Sequence, residues 1–219
     1  MSQRAMIVVG GGASTRFGDD KLFADVAGQP LVVRSVEAVR HLVDRCVLVG
    51  RAESIDRLRA LDINVEIVVG GSSRTLSEMA GLAALGGEHE LVGIHDAARP
   101  FVHPDLVELL FQTAAVTGGA VPVLPPETIL IDRRTLMPLQ RAIRVQTPQV
   151  FRGAELIASF VRAAEAGFDG HDTVEIVHRF GDLEISGVPG DPVNVKVTYP
   201  QDLEDVRSRF GGSSRSEPQ

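Results

Sequence analysis

Short apolar runs separated by helical patterns constrain this chain more than any other feature of it. Residues 5–9, 46–49, 65–69, 91–95 and 119–124 are mostly apolar at successive positions, without regular polar alternation. Strands of that kind are buried on both faces, which requires a mostly parallel sheet covered by helices on either side. The segments between them supply those helices: 30–42 with a proline at its start, 53–61, 76–85 closed by Gly86-Gly87, and 104–117 with Pro104 in its first turn. The fold class is therefore α/β, a Rossmann-like three-layer arrangement. Ligands are expected at the carboxyl ends of the strands.

Pro125-Pro126 interrupts this rhythm. Residues 127–145 look like extended arms, with 128–131 a candidate strand. The stretch of about 125–145 is expected to protrude as a hairpin or subunit contact. Beyond it, 153–165 and 172–180 are helical, 193–197 is a late strand and 201–210 a final helix. Residues 1–210 are expected to form a single domain. The polar Gly/Ser-rich tail 211–219 is expected to be disordered.

Composition narrows the function classes. The net charge of −7 and the absence of tryptophan argue against a nucleic-acid binder. No apolar stretch approaches the roughly 18 residues of a membrane span. The first apolar run is too short for a secretory leader. The lone Cys46 lies in an apolar run and excludes an internal disulfide, so a buried thiol in the reducing cytoplasm is expected. Of the 22 basic residues all but Lys21 and Lys196 are arginine. Both lysines therefore invite a functional question.

The first run ends in Gly10-Gly11-Gly12-Ala13-Ser14-Thr15-Arg16-Phe17-Gly18-Asp19-Asp20-Lys21. Consecutive glycines let backbone N–H groups approach an anion, and Arg16 and Lys21 add two cations. A P-loop would need Gly-Lys-Ser/Thr, which two aspartates before Lys21 rule out. A dinucleotide fingerprint would need a glycine where Thr15 stands, and the second strand ends in Gly50-Arg51 rather than an acid, leaving only a weak NADP reading. The loop is most similar to the glycines-then-Arg-then-Lys signature of nucleotidyltransferases.

Other motifs also follow strands. Gly70-Gly71-Ser72-Ser73-Arg74, with Ser77 one turn on, suits close approach to a base or ribose, or a plain helix cap. In His95-Asp96-Ala97-Ala98-Arg99-Pro100, Asp96 has the hard oxygen that suits Mg²⁺, and Arg99 the fork that suits a phosphate. An Asp96–Arg99 salt bridge in a turn is the plain alternative, and His95 suits a packed strand end. Gln146-Thr147-Pro148-Gln149 places Thr147 near Arg141 and Arg144, where an anion would fit. Asn194-Val195-Lys196-Val197-Thr198 carries the second lysine.

Together these motifs, spread over about residues 6–210, resemble the 2-C-methyl-D-erythritol 4-phosphate cytidylyltransferase family of the non-mevalonate isoprenoid pathway. The resemblance implies a nucleotidyltransferase fold with a protruding arm. The implied reaction is CMP transfer from CTP to the sugar-alcohol phosphate, with Mg²⁺ as cofactor, in a homodimer built through the arm. Gly10, Gly11, Gly12, Gly71, Ser77 and Asp96 would bind the nucleotide. Arg16, Lys21, Lys196 and Arg141 would be catalytic. Asp96, Arg99, Thr128, Thr147 and His171 would hold the alcohol phosphate, and Asp96 the metal. Arg144 is the alternative to Arg141, and Thr173 to His171. The loop between Arg16 and Lys21 is shorter than the family's and lacks a proline before the lysine, a spelling similar to that of molybdenum-cofactor enzymes. Ribitol-phosphate cytidylyltransferase and molybdopterin guanylyltransferase activities therefore stay open, as do an NADP-binding oxidoreductase using Arg51 and a non-catalytic nucleotide binder.

Overall fold

The computed structural model describes residues 3–11, 21–86, 89–139 and 141–212. The chain begins with strand β1 (Arg4–Val9), followed beyond the loop by a 3-10 turn at Lys21–Phe23. A two-stranded antiparallel ribbon, β2 (Asp25–Val26) and β3 (Gln29–Pro30), leads into α1 (Leu31–Arg40). Next come β4 (Arg45–Gly50), α2 (Ile55–Arg59), β5 (Glu66–Val69) and α3 (Arg74–Leu85). They are followed by β6 (Leu91–Asp96), α4 (Pro104–Thr117) and β7 (Gly118–Leu124). After the arm come β8 (Arg144–Val145), β9 (Gln149–Arg152), α5 (Gly153–Glu165), α6 (Thr173–Phe180), β10 (Glu184–Pro189) and α7 (Pro200–Gly212).

The main sheet has the order β10-β7-β9-β6-β1-β4-β5, with β8 added against β7. β5, β4, β1 and β6 pair in parallel, as do β10 and β7. Within this sheet, among the described strands, only β8 and β9 run antiparallel to the rest. Residue alternation along the central strands builds a core on each face. Met6, Val8 and Leu48 pack with Val36, Val107 and Phe111 of α1 and α4. Ile7, Val9, Val49 and Ile94 pack with Leu82, Leu156, Phe160 and Val177 of α3, α5 and α6. Each fully buried side chain of this size contributes about 1.5–3 kcal/mol of transfer free energy. The expected α/β architecture with a mostly parallel sheet is the one observed.

Several local expectations fail for identifiable reasons. Residues 193–197 are not a strand; the segment is irregular, held by Val197 N–H donating to Ala98 O at 2.9 Å. Its Val-x-Val spacing reflects burial of Val197 with Ala98, Leu203 and Val206 under α7, not a pleat. The last sheet strand is instead β10, whose Gly187 and Pro189 mimic a loop. Residues 128–131 pair only through the bridge Ile131–Pro138, so the arm is a loose hairpin. The helix expected at 53–61 divides into a 3-10 turn, Ala52–Ser54, and the short α2. Cys46 is half-buried rather than fully buried. Of the expected tail 211–219, residues 211–212 belong to the end of α7 rather than to a disordered tail, and 213–219 lie outside the described residues.

Candidate active site

The sheet order reverses across β1. The chain moves from β1 outward to β4 and β5, then returns to place β6 on β1's other side. Such a reversal opens a crevice at the strands' carboxyl ends. A cavity of about 310 Å³ lies there. Val9, Gly10 and Gly11 line it from the end of β1, and Asp96 and Ala98 from the end of β6. Ser72, Ser73 and Arg74 contribute the start of α3, and Lys21, Lys196 and His171 come from three further segments.

Local sequence explains these placements. Gly11 runs close over α3: a Cβ on it would stand 2.6 Å from Ser77 Oγ, so only glycine fits without a shift. Ser73 caps α3 by accepting the Leu76 N–H at 3.2 Å, and Gly86 closes it with a positive φ of 77°. The α3 amino terminus thus opens into the cavity with Arg74 as its first residue. Asp172 caps α6 by accepting the Val174 N–H at 3.1 Å, and this turn presents His171.

Asp96 is the electrostatic centre. Its side chain is 6% exposed and holds three cations: Arg74 Nη1 at 2.7 Å on Oδ1, and Lys196 Nζ at 2.9 Å and Arg99 Nε at 3.2 Å on Oδ2. Burial works to raise its pKa, but Arg74, Lys196 and Arg99 outweigh it and hold the carboxyl well below the usual carboxylate value. Arg99 also donates to Asn194 O at 2.8 Å, and Lys21 Nζ donates to Val197 O at 2.8 Å. Both lysines are therefore drawn to the same cleft, from positions 175 residues apart in the chain (196 minus 21).

Behind Asp96 lies a buried relay. The Asp96 N–H donates to Thr147 Oγ1 at 2.9 Å, and Thr147 Oγ1 is 3.3 Å from His95 Nδ1. His95 Nε2 is 3.1 Å from Arg99 O. A carbonyl only accepts, so Nε2 carries the proton and Nδ1 accepts from the Thr147 hydroxyl. Burial pushes the His95 pKa down to about 4, which keeps the imidazole in this neutral form.

Glu78, fully buried on α3, is shifted the other way, to about 7, chiefly by burial. The two shifts oppose each other in stability. The unfolded His95 takes up a proton below about 6.5, the folded one only near 4, so His95 costs about 3 kcal/mol as pH falls through that window. Folded Glu78 is protonated from about 7 downward and the unfolded side chain only near 4.5, so falling pH restores a similar amount. Glu78→Gln removes the second effect alone. Its melting temperature, measured relative to the wild type, is expected to drop steadily between pH 7 and pH 4.5. A constant offset over that range contradicts the titration of Glu78.

The expected site residues separate into three groups. Gly10, Gly11, Lys21, Asp96, His171 and Lys196 line the cavity. Ser77, Thr147 and Arg99 are buried beside it with their polar atoms engaged internally; the Ser77 hydroxyl donates to Ser73 O at 2.8 Å. The structure places Ser77, Thr147 and Arg99 directly behind the residues that line the cavity. Gly71 is exposed beside the lining residue Ser72 without lining the cavity itself, and a Cβ there would stand 2.2 Å from Leu76 Cβ. Thr128 and Arg141 are exposed on the arm and do not line the cavity of their own chain. Gly12 and Arg16 fall outside the described residues. Between the alternatives, Arg144 is occupied by Pro125 O and Glu127, and Thr173 is buried on Glu78, whereas Arg141 is exposed and His171 faces the cavity. Arg74 was not assigned a site role from the sequence, although its i,i+4 spacing to Glu78 marks a helical ion pair.

An open parallel sheet with a glycine turn, two lysines and one cation-ringed carboxylate at its reversal point has the layout of a nucleotidyltransferase. The 2-C-methyl-D-erythritol 4-phosphate cytidylyltransferase family model matches residues 5–208. The chain belongs to that family. It is 33% identical to the enzyme of that name from Solibacter usitatus over 91% of this chain and 92% of the relative, and 31% identical to that of Aquifex aeolicus over 94% and 96%. The cytidylyltransferase structure from Thermus thermophilus superposes with a TM-score of 0.81 at 26% identity, covering 96% of this chain and 100% of that one. The 4-diphosphocytidyl-2C-methyl-D-erythritol synthase structure of Anaerococcus prevotii shares the fold, with a TM-score of 0.82 at 22% identity, covering 96% and 99%.

Proposed function

We propose a division of labour in the cleft for the family's reaction, the transfer of CMP from CTP to 2-C-methyl-D-erythritol 4-phosphate in isoprenoid precursor synthesis. A phosphate oxygen of the alcohol phosphate attacks the α-phosphorus of CTP. The bond from α-phosphorus to the bridging oxygen breaks, and pyrophosphate leaves with that electron pair. A phosphomonoester is largely dianionic at neutral pH, its second pKa being about 6, so no general base is required. Alignment and charge neutralisation are what the protein must supply. Gly10 and Gly11 offer backbone close approach to phosphate oxygens, Lys21 supplies positive charge there, and Arg16 with Gly12 would complete the loop. Lys196, Arg74 and Arg99 are assembled on Asp96, and His171 faces the same space. The single observation that carries this reading is the convergence of Lys21, Lys196 and Arg74 on one cavity around Asp96.

Mg²⁺ fits as a companion of the triphosphate. It is commonly held by one or two carboxylates plus substrate phosphates, and Asp96 is the one carboxylate lining the cavity among the described residues. Asp96 would hold the ion, which when bound would neutralise phosphate charge. The cations now resting on Asp96 are the ones that phosphate oxygens would draw away.

The arm supports a homodimer. Ile129, Leu136 and Met137 are 81%, 69% and 65% exposed on it, an apolar surface that a partner would cover. Such a dimer would carry Thr128 and Arg141 toward a neighbouring cleft, which reconciles their expected substrate role with their distance from their own. One catalytic domain over 1–210 and a cytoplasmic location complete the reading. They are supported by α7 packing beside the cleft segment at Val197 and by a single cysteine, which leaves no internal disulfide.

Pyrophosphate release across a panel of alcohol phosphates with CTP and GTP tests the assignment. Turnover is expected with CTP and methylerythritol phosphate. Preference for GTP, or for ribitol phosphate, would move the chain to a different substrate.

A further inference from the structure

Glu78 is the buried carboxylate that the proposed chemistry leaves unused. Its side chain is 0% exposed, and Oε1 lies 2.8 Å from Arg74 Nε on the preceding turn of α3. The same Oε1 accepts the Thr173 hydroxyl at 3.0 Å. Arg74 is therefore held at two points, by Glu78 on Nε and by Asp96 on Nη1 at 2.7 Å. Thr173 begins α6, two residues after His171, and Gly170 N–H donates to Thr75 Oγ1 of α3 at 3.0 Å. Glu78 thus stands where α3, Asp96 and the turn bearing His171 meet.

The arrangement is expensive as a structural device. Glu78 Oε2, Arg74 Nε and Arg74 Nη2 are buried without a hydrogen-bond partner among the described residues, so the Nε–Oε1 contact is an ion pair without hydrogen-bond geometry. A well-packed apolar pair in the same volume is often as stable or more so. What the ionic pair supplies instead is a guanidinium held between two carboxylates, with Nε and Nη2 still without hydrogen-bond partners in a residue that lines the cavity. Burial raising the Glu78 pKa to about 7 is the mark of that cost.

We propose that Glu78 is a positioning residue for the nucleotidyl transfer: its carboxylate holds the Arg74 guanidinium where it lines the cavity. The inference rests on the placing of the reaction at the Asp96 cleft. It predicts that Glu78 acts through Arg74. Losses from such supporting partners run to about 10–100-fold.

A double-mutant cycle on the full chain tests this, with kcat/KM for CTP and the alcohol phosphate read beside the melting temperature. Glu78→Gln is expected to lower kcat/KM about 10–100-fold, while its melting temperature at pH 8 is no lower than the wild type's. In an Arg74→Gln background it is expected to cause no further loss. Glu78→Met, which fills similar volume without charge, is expected to reproduce both results and serves should the glutamine variant fold poorly. Wild-type kcat/KM in Glu78→Gln and Glu78→Met overturns the inference. So do losses that multiply with an impaired Arg74→Gln, with the cleft assignment left standing. Wild-type turnover by Arg74→Gln itself overturns the placing of the reaction and this inference with it.

Discussion

Asp96→Asn is expected to lower kcat/KM by about a thousandfold, the upper end of what one preorganised electrostatic group is worth in such a site. The variant keeps the size of the side chain and removes its charge. Three cations then face one another around a neutral amide: Arg74, Arg99 and Lys196, all within 3.2 Å of the carboxylate in the wild type. Arg99 is 11% exposed and Arg74 22%, so neither can escape fully into water, whereas Lys196, at 38%, is better screened. Leaving buried charges uncompensated costs about 3–5 kcal/mol; partial exposure and the remaining Glu78–Arg74 pair place this case at the low end, about 3 kcal/mol. For a chain of this size that is a fall in melting temperature of roughly 6–12 °C. Kinetics and melting on the same preparation check both halves. Unchanged kcat/KM with a lowered melting temperature makes Asp96 an architectural residue and removes it from the chemistry.

The parallel sheet is legible in the sequence because the central strands are buried on both faces, and burial on both faces leaves no polar alternation to mistake for anything else. β1 shows this: Met6 and Val8 serve one core, Ile7 and Val9 the other. The failures lie at the margins. β10 is an edge strand whose Glu184, Gly187 and Pro189 are exposed or half-exposed, so its pattern is that of a loop. Residues 193–197 err the other way, because Val197 is buried by α7 without any pleat.

The site was legible where chemistry and sequence neighbourhood coincide. Gly10, Gly11, Lys21 and Asp96 sit in motifs that follow apolar runs, Lys196 sits in the 193–197 segment, and the cavity gathers all five. Burial is what the motifs could not convey. The hydroxyls of Ser77, Thr147 and Thr173 are buried and bond inside the protein, to Ser73 O, to the Asp96 N–H and His95, and to Glu78. The Glu78–Thr173 contact joins residues 95 apart, and the Thr147–His95 contact residues 52 apart. No local spacing encodes such pairs. Arg74–Glu78 is different, being i,i+4 on one helix, and a closer reading of charge spacing on α3 would have found it.

Lys21→Ala is expected to reduce kcat by about 100–1,000-fold, or about 3–4 kcal/mol of transition-state stabilisation, and to change KM for CTP by less than about tenfold. The asymmetry follows from where negative charge accumulates. Ground-state CTP already has its charge spread over three phosphates, so one cation among several adds little to binding. As the α-phosphoryl group transfers, charge moves onto the departing pyrophosphate, and a fixed cation near that oxygen gains in value at the transition state. Lys21 is suited to this because it is tethered: Nζ donates to Val197 O at 2.8 Å, on the segment that also carries Lys196. Losing that hydrogen bond costs about 1 kcal/mol of stability, too little to explain the kinetic loss through unfolding. Lys21→Arg keeps the charge but replaces a compact ammonium by a broad planar fork, so it is expected to recover only part of kcat. If steady-state kinetics instead show KM for CTP rising with kcat unchanged, Lys21 holds the nucleotide equally in ground and transition states. The burden of stabilising the leaving group then passes to Arg16 and Arg74.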